Sequence, residues 1–62
     1  MNYTFNDNTD KANKELVLEQ CIDLYNYKDF DFTVSNGNIT GIKANTKAVE
    51  LFCLCNELNI NQ

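Results

Sequence analysis

Three cysteines are the only strongly nucleophilic side chains in this chain, and their surroundings decide how little they can do. Cys21, Cys53 and Cys55 stand in a sequence with no histidine and no arginine. A reactive thiol needs a histidine or another cation beside it to favour the thiolate. Cys53 and Cys55 are two apart, so on a helix they point about 200° apart and cannot grip one ion. No histidine and no second cysteine pair completes a zinc set. The expectation is therefore no metal and no cofactor. Cys21 and Cys55 read as core residues, and Cys53 as nearer the surface. An odd number of cysteines with no targeting sequence reads as reduced cytosolic thiols.

Carboxylates could supply general acid and base in pairs, at Asp29 and Asp31 or at Glu15 and Glu19. That chemistry needs a cleft that separates two pKa values. A chain of 62 residues leaves little volume for a pocket of the usual ~300 Å³ or more. These acids read as solvated, no catalytic residue is assigned, and the chain is expected not to be an enzyme. Lys43 and Lys47, with Lys28 nearby, could hold a phosphate at a helix N-terminus. With no arginine they read as scattered surface lysines. Gly37 and Gly41 form no phosphate-binding fingerprint.

The elements that must position these residues can be read from turn chemistry and periodicity. Residues 2–6 alternate and suit a short strand with Tyr3 and Phe5 on one face. Asp7 to Asp10 is rich in N-capping residues, and a helix is predicted from about Asp10 to Lys28. Its core stripe is Val17, Leu18, Cys21, Leu24, Tyr25 and Lys28, with Ile22 widening one flank and Leu16 and Tyr27 beyond the other. Asp29 to Ala44 reads as a hairpin. Phe30, Phe32 and Val34 alternate with polar residues, and Asn36-Gly37 is the preferred two-residue turn, since both positions need φ > 0. That register places Val34 opposite Ile39. It also turns Ile42 away from the phenylalanines unless a bulge at Gly41 returns it. Asn45 or Thr46 caps a second helix to about Asn59, with Ala48, Leu51, Phe52, Cys55 and Leu58 inward and Cys53 and Leu54 outward. The fold class is thus α+β in one domain, residues 1–62. Two helices pack on one face of a small antiparallel sheet in the order α-β-β-α, or β-α-β-β-α with the N-terminal strand.

Nine acids against five lysines give a net charge of −4. That opposes nucleic-acid binding, which needs a basic stripe, and favours a basic partner. The opening residues do not read as a signal peptide, and the longest apolar run, Leu51 to Cys55, is far too short for a membrane span. A cytoplasmic protein is expected, in the host cytoplasm if a phage encodes it. Eleven asparagines beside five lysines and no arginine point to AT-rich coding, as in a low-GC bacterium or its phage.

Two surface features remain for function. Glu15, Glu19 and Asp23 recur at i, i+4 and i+8, a like-charge row that costs a helix a few tenths of a kcal/mol per pair. They are the candidate docking face for a basic surface, such as the nucleic-acid groove of another protein. Leu54 lies outside the expected core stripe and joins them as a partner-binding candidate. With Leu16 and Tyr27 it is also a candidate dimer interface by helix packing. Edge pairing of hairpins is the second route to a dimer, and Lys43 and Asp31 are expected to blunt those edges. The leading function is a small acidic non-catalytic protein that occupies a surface of another protein, as an inhibitor or modulator of phage or mobile-element type. The alternatives are a structural or regulatory homodimer and, against its charge, a nucleic-acid-binding regulator.

Overall fold

A computed structural model describes residues 1–61. The elements are β1 (Asn2–Thr4), α1 (Lys11–Leu24), β2 (Phe30–Ser35), β3 (Asn38–Ala44), α2 (Lys47–Cys55) and β4 (Asn59–Asn61). All neighbours pair antiparallel in the order β2-β3-β1-β4. Two β-α-β units are thus interleaved, each split by a strand of the other. The N-terminal strand is central, and β4 was not foreseen from the sequence.

The hairpin turn is as expected: Asn36 and Gly37 have φ of 53° and 80°, the left-handed pair that a type I′ turn requires. Val34 faces Ile39, and the register then shifts so that Thr33 faces Gly41 and Phe32 faces Ile42. Thr40 is the extra residue of this bulge. Ile42 returns to the side of Phe32 and is fully buried. Gly41 is needed for close approach: a Cβ there would collide with the Tyr3 carbonyl oxygen.

One sheet face carries Tyr3, Phe30, Phe32, Ile42 and Ala44, and both helices cover it. Cys21 of α1 and Val49, Phe52 and Cys53 of α2 join these residues in one core, with Phe5 and Leu58. Tyr25 meets Phe52 edge-on at 5.5 Å. The opposite face is polar, with Asp31, Lys43, Asn2 and Asn61 in one row and Thr33, Gly41, Thr4 and Asn59 in the next.

Both helices are shorter than predicted. α1 is capped by Asp10, whose carboxylate accepts from the Asn13 N–H at 2.8 Å. It stops at Leu24 because Asn26 and Asp29 close a turn of their own: the Asn26 N–H donates to the Asp29 carboxylate and the Asp29 N–H to the Asn26 carbonyl. Lys28 therefore lies outside the helix, and Leu24, expected inward, is exposed. Thr46, not Asn45, caps α2. α2 ends at Cys55 in a Schellman motif: the Glu57 N–H reaches the Leu54 carbonyl and the Leu58 N–H the Cys53 carbonyl, with Glu57 left-handed at φ 65°.

The inward face of α2 is rotated by about 100° from the expectation. Val49, Phe52 and Cys53 are buried, whereas Ala48, Leu51 and Cys55 are exposed. The assignment of Cys55 to the core and Cys53 to the surface is reversed. α2 is apolar nearly all round, so periodicity could not phase it. Lys43 also sits on an interior strand; the sheet edges are β2 and β4.

Candidate partner-binding surface

α1 positions the acidic row. Its inward side carries Lys14, Val17, Leu18, Cys21 and, just past its end, Tyr25, all buried or half-buried. The Lys14 ammonium lies 5.9 Å from the Phe5 ring centre, within cation–π range. The opposite side carries Glu15, Glu19 and Asp23, all exposed. A rise of 1.5 Å per residue sets them along about 12 Å of helix. Leu16 lies among them and is 53% exposed.

α2 presents a different outer side. Leu54 is 48% exposed, and Leu51, Ala48 and Cys55 are exposed beside it. Sequence reasoning assigned Leu51 to the core; the structure sets it on the surface with Leu54. Tyr27 stands in the turn between α1 and β2 and is 90% exposed. The proposed interface residues Leu16, Tyr27 and Leu54 are thus all exposed, each on a separate segment, and none of the three grooves described below is lined by two of them together.

The surface holds open grooves larger than the chain length suggested. One of about 690 Å³ lies between the first half of α1 and the hairpin tip, lined by Lys11, Lys14, Glu15, Leu18 and residues 35–40. A second of about 540 Å³ is lined largely by asparagines, Asn6, Asn8, Asn13 and Asn56, with Cys55 at its wall. A third of about 460 Å³ runs along Ile22, Tyr25, Tyr27, Lys28 and Phe30.

The thiols have little scope for chemistry in the interior. Burial pushes Cys21 and Cys53 up from 9.0 to about 11, with the charges of Cys21 and Glu50 adding to the rise at Cys53. Such thiols stay protonated and unreactive near neutrality. Burial, then its hydrogen bond to Glu50 at 3.2 Å, pushes the Tyr3 phenol up as well. That bond ties β1 to α2. Among the described residues no three cysteine or carboxylate groups gather where a metal ion could sit. Nor is any helix among the described residues long and apolar enough to cross a membrane. Topology alone assigns no function, so the surface must carry the argument. No known family model, curated protein or solved structure matches the chain.

Proposed function

We propose that this chain is a small acidic binding protein, without catalytic activity, that acts by occupying a basic surface of another protein. On this reading it is an inhibitor or modulator of phage or mobile-element type. The observation that carries the reading is how charge is arranged on α1. A helix is stabilised by acids at its N-terminus and by bases at its C-terminus. α1 follows this rule only at its Asp10 cap; beyond the cap its first turn holds Lys11 and Lys14 and no acid, and its last turn holds Asp23 and no base. The row Glu15, Glu19, Asp23 adds like-charge repulsion. All three are exposed, so the fold gives them no use. A row set against the stability of its own helix has its use in a partner, where complementary charge speeds encounter. Leu54 and Leu51 offer an apolar contact on the neighbouring element.

The test starts with capture of a partner from a low-GC bacterial lysate and measurement of its association rate. Replacing Glu15, Glu19 and Asp23 together with Gln should slow association about tenfold or more and flatten its salt dependence, with little change in dissociation. An unchanged association rate overturns the docking face. Leu54→Asp is the companion variant: loss of binding there, with the triple-Gln protein unaffected, moves the site to the apolar side of α2.

A structural or regulatory homodimer is the second reading. The apolar side chains left at the surface, among them Leu24, Val34 and Ile60, favour it. A nucleic-acid role is opposed by the net charge of −4. The open sheet face has no aromatic side chain for bases to stack on, and its one lysine, Lys43, lies between Asp31 and Asn2.

A further inference from the structure

The hydrogen-bonding directions of β2 follow from the register. Met1 and Ala44 exchange both backbone bonds, at 2.9 and 3.1 Å, so the polar groups of Ala44 point to the β1 side. Directions alternate along a strand. Those of Lys43 and Gly41 therefore point to β2, where they meet Asp31 and Thr33. Ser35 pairs with Asn38 across the turn. Phe30, Phe32 and Val34 are left with their N–H and C=O groups aimed outward. β2 is an edge strand with no proline, no lysine and no bulged residue of its own, the devices that usually guard an edge. Its one charge, Asp31, has Lys43 of the same chain beside it.

We propose that two copies of this chain pair antiparallel through β2 about a two-fold axis at Phe32, joining their sheets into one of eight strands. In this register Phe32 faces its own copy, and Phe30 faces Val34 of the other chain. All outward groups of the three residues then find partners, in six bonds. On the polar face Asp31 lies opposite Thr33 of the second copy, so no like charges oppose. A register centred on Asp31 sets two carboxylates face to face, which is destabilising. One centred on Thr33 leaves Phe30 against the partner's turn. Only the Phe32 register is self-complementary over the strand.

A second observation fits the same occupant. Val34 is 62% exposed although it points to the helix side of the sheet. The pairing brings it beside Phe30 of the other copy, where the groove along Ile22, Tyr25, Tyr27 and Phe30 opens. A valine there is received by three aromatic rings and an isoleucine. Tyr27 thereby belongs to the dimer contact, whereas Leu16 and Leu54 do not. This contact uses none of the acidic row on α1, so it stands or falls separately from the docking function.

The test uses the full chain in two parts. Sedimentation at rising micromolar concentrations should show a dimer, and Val34→Lys should raise its dissociation constant about tenfold or more while the melting temperature of the folded protein stays close to the parent's. Register is then read with Asp31→Cys and Thr33→Cys, each made in a Cys55→Ser background. The pair faces across a site without hydrogen bonds, where Cα atoms lie about 4.5 Å apart. Mild oxidation of the two variants mixed should give a covalent heterodimer, and far less product from either alone. A monomer at every concentration overturns the proposal. So does a dimer that survives Val34→Lys but is lost in Leu54→Asp, which assigns the contact to the helices. No crosslink from the mixture, with both variants folded, overturns the register.

Discussion

The two helices share one core and use it very differently. α2 has 9 residues and buries Val49, Phe52 and Cys53. It is tied to β1 by the Tyr3–Glu50 hydrogen bond, capped by Thr46 at one end and closed by a Schellman motif at the other. α1 has 14 residues and fully buries only Cys21. Beyond the Asp10 cap its charges run against its own dipole, and the Asn26–Asp29 turn ends it with no left-handed residue. The shorter helix anchors the fold; the longer one spends most of its length on the surface. Stability and the proposed recognition are thus divided between elements, with the proposed docking row on the helix that contributes less to the core.

The sharpest way to break that comparison is to truncate one anchor on each helix. Phe52→Ala should cost about 3–5 kcal/mol, since it empties a buried ring site and removes the contact with Tyr25. A domain this small has little more than that to lose, so the variant should be largely unfolded at 37 °C by circular dichroism. Val17→Ala on α1, at a half-buried position, should cost only about 1 kcal/mol in urea titration. Equal losses would show that α1 anchors the fold as firmly as α2.

The same asymmetry explains what could be read from the sequence. The hairpin turn was legible to the residue, because Asn36-Gly37 answers a backbone demand that few residue types meet; the bulge, expected at Gly41, falls one residue earlier, at Thr40. The fold class followed from it. The start of α1 was legible because Asp10 is an N-cap type at the head of a periodic stretch. The facing of α2 was not, because Leu51, Phe52, Cys53, Leu54 and Cys55 are all apolar and any rotation buries some of them. Its end was hidden too: Glu57 occupies a left-handed position where glycine is usual, so nothing in the composition marks the stop. β4 was lost with it, since its pairing with β1 joins residues from the two ends of the chain. For the surface, the exposure of Glu15, Glu19 and Asp23 was legible from their period alone. The free edge of β2 was not, because an edge exists only once the strand order is known.

In one respect the two helices should behave alike, and pH tests it. Cys21 on α1 and Cys53 on α2 both ionise near 11 in the fold, against 9.0 ordinarily. Between these values the unfolded chain has released protons that the folded chain retains, so the folded state binds more protons. Their contribution to stability is therefore complete below about pH 9 and declines as pH rises towards about 11. The melting temperature should fall across that window. Cys21→Ala and Cys53→Ala should each shallow the fall, and Cys55→Ala should leave it unchanged. At neutral pH a thiol reagent should modify Cys55 quickly and the other two only on unfolding. Rapid native labelling of Cys53 would mean that α2 is not packed as described.

The smallest expected effect concerns the strain with which α2 is closed. Glu57 sits at φ 65°, a conformation that costs an ordinary L-residue roughly 1–2 kcal/mol. Glycine adopts it freely but gives up more entropy on folding, which offsets roughly 0.5–1 kcal/mol. Glu57→Gly should therefore stabilise the protein by about 0.5–1 kcal/mol. The carbonyl of residue 57 accepts from the Asn6 side chain at 2.8 Å, a bond the substitution keeps because it belongs to the backbone. The gain should appear as a higher urea midpoint with unchanged slope. It should also appear as slower amide exchange at Leu58 and along β1 and β4, with little change in the α1 amides beyond the global shift. α1 has no such position to relieve. A uniform slowing across both helices would show that they open together. Slowing confined to α2 and its strands would confirm that the anchor can be tightened without touching the surface that carries the acids.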